Sequence, residues 1–218
     1  MRDITDNLSN KYCGYVLLLQ PYIAFNSNVL VTNGRDPVPL TIDDLARIWG
    51  VSKRTARGIV AEFEARSILF EDGGRFTLND RYHFRKKAND EVDALIKTYF
   101  TALRAFRLTA ADLGFVYKLL PYVHYETNLV CADPFAPAEE ITFLSDKEIG
   151  DIVGMTETKT KEALGRLRKA RIIGEWIDAE DRRKKFTALN PYVFYRKQGE
   201  PDGMLAALFA DKRLPNDH

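Results

Sequence analysis

The chain has 218 residues, 45% of them hydrophobic, which is enough for one or two globular domains with buried cores. Its 32 basic and 31 acidic residues nearly cancel, so any attraction to nucleic acid has to come from local clusters of charge. No apolar run approaches the roughly 20 residues that span a bilayer, and residues 1–6 lack the order of a secretion signal, so we expect a cytoplasmic protein without membrane contact.

The first predicted element is an apolar helix that returns 100 residues later. Residues 14–31 read GYVLLLQPYIAFNSNVLV, and residues 114–131 read GFVYKLLPYVHYETNLVC. This period is too long for a solenoid, whose repeats span about 20 to 50 residues. The duplication therefore predicts two tandem domains, each with its own core. We expect Asn28 and Asn128 to cap a turn after the opening helix of each repeat.

A helix-turn-helix pattern follows in each repeat. In the first, Thr41 and Ser52 are positioned to cap two successive helices, and Gly50 can adopt the left-handed conformation that ends the earlier one. Residues 56, 59, 60 and 63 have the spacing that places one stripe of a helix in a core, and residues 160, 163, 164 and 167 do likewise. The equivalent capping and turn positions of the second repeat are Ser145, Gly154 and Thr156.

Two β-prone segments follow each helix-turn-helix. In the first repeat, residues 68–71 and 75–78 flank a turn that contains Gly73 and Gly74, which suits a hairpin. In the second, residues 172–177 and 185–189 flank a longer polar turn. A hairpin after a helix-turn-helix is a wing, so each repeat is predicted to be a winged-helix domain.

The segment between the repeats predicts a connecting helix. Its apolar residues keep to one face: Val92, Leu95, Ile96, Tyr99, Leu103 and Phe106. Such a helix could pack between the two domains or form a homodimer with a second chain, and we favour packing within the chain. The predicted fold class is mainly α with small β-hairpins (α+β), with two tandem winged-helix domains joined by a helix. The predicted divisions are a first winged-helix domain over 1–88, a connecting helix over 89–108, a second winged-helix domain over 109–200, and a short C-terminal helix and tail over 201–218.

Catalytic and metal-binding patterns are not found in the sequence. Cys13 and Cys131 have apolar neighbours and no second ligand type at metal-binding spacing, so we interpret both as buried hydrophobic residues. There is no Gly-rich phosphate loop and no nucleophile motif, and the three histidines are scattered. We therefore predict no enzymatic activity, no metal site and no cofactor.

The order of these elements resembles a known family. The opening-helix motif Leu120-Pro121-Tyr122 and the closing segment Leu189-Asn190-Pro191-Tyr192-Val193-Phe194 are similar to those of MarR-type regulators and of firmicute plasmid replication proteins of the RepL type. The resemblance implies a winged-helix fold and DNA binding in a plasmid or phage setting. Two such domains in tandem depart from the usual single copy.

In winged-helix DNA binders, the second helix of the motif enters the major groove, and the residues opposite its buried stripe contact DNA. Arg54 and Arg57 are our candidates for base contacts, because arginine can donate two hydrogen bonds to guanine. Lys53 is the candidate for a phosphate contact. The other predicted DNA-binding residues of the first repeat are Ser52, Thr55 and, in the wing, Arg75.

The equivalent helix of the second repeat is less basic. It offers Thr158, Lys159 and Lys161, but Glu157 and Glu162 stand among them and would oppose phosphates. The strongest cationic run of this repeat is in its wing, which contains Arg182, Arg183, Lys184 and Lys185. We therefore expect the two repeats to contribute unequally.

These features predict a sequence-specific protein that binds double-stranded DNA, and hence a nucleoid-associated one. The sequence does not separate a transcriptional regulator from a replication initiator of a plasmid or phage, and transcription or replication machinery is the expected partner in each case. The alternative is a tandem winged-helix module that binds proteins in a DNA-associated assembly. The basic face of the first repeat argues against the alternative, whereas Glu157 and Glu162 leave it open for the second.

Overall fold

The computed structural model describes residues 2–86, 95–178, 181 and 184–210, and each of its two repeats contains an opening helix, a pair of helices and a hairpin in the same order. The first repeat comprises α1 (Arg2–Thr5), α2 (Asn10–Leu19), α3 (Ile42–Trp49), α4 (Lys53–Ala65), β1 (Leu69–Asp72) and β2 (Arg75–Leu78). The segment between the repeats contains β3 (Lys97–Thr98) and α5 (Phe100–Ala105). The second repeat and the C-terminal segment comprise α6 (Ala110–Leu119), α7 (Asp146–Val153), α8 (Glu157–Ala170), β4 (Ile173–Ile177), β5 (Lys185–Leu189), β6 (Phe194–Tyr195) and α9 (Gly203–Ala210). The protein therefore has a mixed α and β fold with small antiparallel strand pairs.

Local sequence signals determine where α3 and α7 begin and end. Thr41 and Ser145 each form a capping box with the acidic residue three positions later. Gly50 and Gly154 end the two helices in the left-handed conformation, with φ of 64° and 70°. These caps and turns confirm the predicted helix limits.

The predicted apolar stripes of α4 and α8 are buried. The buried residues of α4 are Ala56, Ile59, Val60 and Phe63, and those of α8 are Thr160, Ala163, Leu164 and Leu167. The Phe63 ring packs edge-on against Trp49 of α3 at 6.0 Å, and Trp49 Nε1 donates to the Tyr15 carbonyl of α2 at 3.0 Å. Because α4 is held from this side by two other helices, its opposite side faces outward.

Both hairpins form as predicted. In the first, Asp72 pairs with Arg75 across Gly73 and Gly74, whose φ values of 53° and 76° suit a tight hairpin turn. In the second, the register runs from Ile173↔Leu189 to Ile177↔Lys185.

Asn28 and Asn128 lie in left-handed turns, with φ of 56° and 57°. Each side-chain amide also spans its repeat, donating to one carbonyl at the end of the hairpin and another in the closing segment. The acceptors of Asn28 are the Leu78 and His83 carbonyls, at 3.1 and 2.6 Å, and those of Asn128 are the Leu189 and Phe194 carbonyls, at 2.9 and 3.0 Å. The two asparagines therefore do more than cap a turn, because they tie the closing segment to the body of each repeat.

The two repeats meet where α2 crosses α6. A Cβ atom added at Gly14 would lie 1.7 Å from the Ala110 carbonyl oxygen, and one added at Gly114 would lie 1.5 Å from the Asn10 carbonyl oxygen. The two helices thus touch backbone to backbone and run past each other in opposite directions. Through this crossing, one hydrophobic cluster extends from the first repeat into the second. The predicted domain limits stay predictions.

The segment between the repeats differs from the predicted connecting helix. Residues 87–94 lie outside the described residues, and after them Lys97–Thr98 forms a strand paired with Phe194–Tyr195. Among the described residues of this segment, helix is confined to Phe100–Ala105, which contacts the 3-10 turn Gln20–Tyr22 of the first repeat. Tyr99 is 42% exposed, so the predicted apolar face is interrupted. Backbone pairing with the second repeat overrides the local helical pattern here.

The C-terminal helix α9 is present and packs on the second hairpin. Leu205 and Phe209 are buried, and a Cβ at Gly174 of β4 would lie only 2.9 Å from the Phe209 ring. Residues 211–218 of the predicted tail lie outside the described residues. Cys13 and Cys131 are buried free thiols, as predicted, and burial raises their pKa values to about 12 and about 11.

Candidate nucleic-acid interface

The outward side of α4 carries the predicted base-reading residues. Arg54 and Arg57 are exposed and lie three positions apart, so they are neighbours on one face of the helix. Within the part of the chain that the structure describes, neither guanidinium has a hydrogen bond or an ion pair with another side chain. Their donors therefore point to solvent and are available to an external acceptor.

Lys53 differs from the two arginines because it has a partner inside the protein. Its Nζ lies 2.8 Å from Oδ2 of Asp43 on α3, and both side chains are about half exposed. An ion pair this exposed is weak, since water screens it. Lys53 can therefore leave Asp43 and bind a phosphate at little cost in free energy. The Asp43 carboxylate nevertheless remains close to the exposed face of α4.

Ser52 and Thr55 act within the protein at the start of α4. Ser52 Oγ accepts a hydrogen bond from the Thr55 backbone N–H at 3.2 Å, and the two hydroxyls lie 2.9 Å apart. Ser52 is thus the N-cap that the sequence predicts. The structure gives both residues a role in positioning Lys53 and Arg54.

Arg75 is exposed at the start of β2, next to the tight turn of the first hairpin. Its cross-strand neighbour is Asp72, but no ion pair joins the two side chains in the described residues. Within the described residues, no carboxylate therefore pairs with Arg54 or Arg57 on the helix or with Arg75 on the hairpin.

The face of α8 has a different charge balance. Thr158, Lys159 and Lys161 are exposed, as the sequence predicts, but Lys161 Nζ lies 2.6 Å from Glu157 Oε1 one helical turn earlier. The hydrogen bond between them lowers the pKa of Glu157 and raises the pKa of Lys161, so both groups stay charged near neutral pH. Thr156 occupies the N-cap position without a side-chain cap bond, unlike Ser52.

Other cations of the second repeat are also paired. Arg166 Nη2 lies 2.8 Å from Asp112 Oδ1, and Arg168 and Lys185 lie 3.0 and 2.9 Å from the two carboxylate oxygens of Glu175. Of the predicted wing cations, Lys184 and Lys185 are exposed, whereas Arg182 and Arg183 lie outside the described residues. Carboxylates of the repeat itself thus neutralise much of its positive charge.

Sequence reasoning missed the acidic partners, Asp43 and Asp112 above all. Asp112 is almost buried and takes the place of Tyr12 of the first repeat, whose ring packs against Phe63. Beside this smaller side chain, a cleft of about 330 Å³ opens between α6 and α8, with Lys159 and Arg166 in its wall. The one sequence signal for this difference is Asp112 itself, an acidic residue at the position that Tyr12 holds in the first repeat.

Comparisons with known proteins add little. No family model matches the chain, and no curated protein does either. A solved structure of the DIP2311 protein from Corynebacterium diphtheriae aligns with 15% identity over 82% of this chain and 26% of that chain, with a TM-score of 0.23. The chain thus spans about a quarter of that protein, and a similarity this low carries no argument about fold or function.

The described residues contain neither a metal-binding cluster nor a membrane-spanning helix. No group of three or more histidine, cysteine, aspartate or glutamate side chains is arranged to hold a metal ion there. None of the helices in that part of the chain combines the length and apolar character needed to cross a lipid bilayer.

Proposed function

We propose that this protein binds double-stranded DNA sequence-specifically through two unequal winged-helix repeats, with α4 in the major groove. The observation that carries the proposal is the pair Arg54 and Arg57, exposed side by side on a helix whose other side is held in the core. Two arginines without internal partners suit the bidentate acceptors of guanine. Lys53 and the hairpin residue Arg75 supply phosphate contacts beside them.

The proposed role is that of a transcriptional regulator or a replication initiator. Both need the same recognition of a duplex, and they differ in the machinery that they recruit. The resemblance to RepL-type proteins supports a plasmid or phage setting as an analogy.

Selection of bound sequences from random duplexes would test the proposal, followed by anisotropy titrations on the selected site. If about 6 to 8 phosphates are neutralised, log affinity falls against log salt with a slope of roughly −5 to −7. We expect Arg54→Ala and Arg57→Ala each to weaken specific binding by about 5- to 150-fold, the equivalent of about 1 to 3 kcal/mol per base contact.

The matched control is Arg66→Ala. Arg66 follows the last residue of α4 and is paired with Glu62 at 2.6 Å, so its removal changes net charge equally but leaves the proposed reading face intact. We expect a small effect from this variant. Unchanged specific binding by the Arg54→Ala/Arg57→Ala double variant would contradict the proposal for α4.

A protein-binding module is the second candidate, and the internal pairing on α8 favours it for the second repeat. Because Lys161 and Arg166 already have carboxylate partners, α8 has less to offer a phosphate backbone than α4 has. A chain that binds no duplex at low salt would support this candidate over DNA recognition.

A further inference from the structure

The recognition faces of the two repeats differ in charge at several positions, and at the first position of the helix the charge is reversed. Ser52 and Thr156 are the equivalent N-caps, so Lys53 corresponds to Glu157 and Arg57 corresponds to Lys161. Two cations on α4 thus become one ion pair on α8, at 2.6 Å.

The helix that supports each recognition helix shows a charge reversal as well. In the first repeat, Asp43 of α3 pairs with Lys53, whereas in the second repeat Lys147 of α7 is the charge that acts on Glu157 from outside its own helix. The carboxylate that pairs with a cation of the candidate DNA-binding helix therefore lies on the supporting helix in the first repeat and on that helix itself in the second, where Asp146 of α7 also acts on Lys161. This exchange places a negative charge at the N-terminus of α8, where the helix would otherwise favour a phosphate.

We propose that Glu157 is a specificity-determining residue of the DNA site, because it occupies Lys161 and repels phosphate at the start of α8. This inference rests on the proposed function. With Glu157 present, the second repeat adds little affinity for arbitrary DNA, and α4 determines where the chain binds. Phosphate contacts carry no sequence information, so each one that is suppressed lowers non-specific binding to competing sites.

The experiment compares wild-type protein with Glu157→Gln on a selected duplex and on a random duplex, between 0.05 and 0.2 M salt. If Lys161 gains one phosphate, the slope of log affinity against log salt steepens by about 0.9. When salt is lowered fourfold across this range, the affinity of the variant for the random duplex then rises about 3.5-fold more than the affinity of the wild type does. The preference for the selected duplex falls, because the new contact is made on any sequence.

Two further variants make the test specific. Glu140→Gln removes the same charge from an exposed position on the short turn Ala138–Glu140, and it reports the effect of net charge alone. Glu157→Gln/Lys161→Gln removes the released cation together with its partner, and we expect it to lose the gain. Thermal unfolding of each variant checks that the fold is retained.

Equal affinities and slopes for Glu157→Gln and Glu140→Gln would overturn the inference. A gain that persists in the Glu157→Gln/Lys161→Gln variant would overturn the assignment to Lys161. If the wild-type chain binds neither duplex at low salt, the proposed function itself fails. If the wild-type chain binds and Glu157→Gln has the same affinity and slope, only the inference about Glu157 fails.

Discussion

The crossing of α2 and α6 makes Gly114→Ala a severe substitution. The new Cβ would lie 1.5 Å from the Asn10 carbonyl oxygen, whereas ordinary contacts begin at 3.4 Å, so the helices must separate by about 2 Å. Adding methylene groups to a packed core typically costs about 1 to 3 kcal/mol. Here the opposing atoms belong to the backbone of a second helix and cannot rotate away. We therefore expect the free energy of unfolding to fall by about 3 kcal/mol or more.

Urea unfolding followed by circular dichroism measures this effect, and Gly165→Ala is its matched control. Gly165 lies on the exposed side of α8, and an added Cβ there would meet no atom within 4 Å. Alanine inside a helix is more favourable than glycine, so we expect the control to gain about 0.5 to 1 kcal/mol. On heating, Gly114→Ala should unfold about 6 to 12 °C below the wild type.

Similar unfolding free energies for Gly114→Ala and Gly165→Ala would refute the reasoning, because they would mean that the two backbones do not touch. The crossing also fixes α4 relative to α8 within one chain. If the protein binds DNA as proposed, a variant that stays folded with its helices forced apart should therefore lose specific binding more than non-specific binding.

The remaining predictions concern buried polar groups. Burial lowers the pKa of His83 to about 3, and its ring bridges Gln20 Nε2 at 2.9 Å and Tyr117 Oη at 2.7 Å. In the unfolded chain the His83 imidazole binds a proton below about pH 6.5, whereas in the folded chain it stays neutral. The free energy of unfolding should therefore fall by about 2 kcal/mol between pH 7.5 and 5, and His83→Gln should remove that loss in urea titrations. Asn28→Ala should lower the free energy of unfolding by about 3 kcal/mol, since it removes two buried hydrogen bonds and strains a left-handed residue. Asn26 has a φ of 65° at an exposed position, so Asn26→Ala should lower it by only about 1 to 2 kcal/mol. Equal losses for the two asparagine variants would contradict the role of the buried amide.

The elements that could be predicted from sequence are those with local causes. Caps such as Thr41, the left-handed Gly50 and the stripe ending at Phe63 depend on residues within one or two helical turns, and all three lie where the sequence places them. The pairing of Lys97–Thr98 with Phe194–Tyr195 depends on partners almost 100 positions apart. Local periodicity predicts a helix there, because it contains no information about that distant strand.

The candidate site was predictable to the same extent. Exposure of Arg54 and Arg57 follows from the helical stripe beneath them. The pair between Glu157 and Lys161 could have been found from its four-residue spacing, which joins neighbours on a helix. The bond between Arg166 and Asp112 spans 54 positions and needs the packing of α6 on α8, so no pattern along the chain reveals it.

The asymmetry of the two faces follows from having both repeats on one chain. In a homodimer every substitution appears twice, so a carboxylate that weakens one recognition helix weakens both. In this chain the two repeats can differ in sequence, and they do: Glu157 is exposed on α8 where α4 has the exposed Lys53. The crossing of α2 and α6 at Gly14 and Gly114 joins the two repeats within one chain. If the chain binds DNA as proposed, its target has strong base preferences under α4 and weak ones under α8, and a perfect palindrome offers it no advantage.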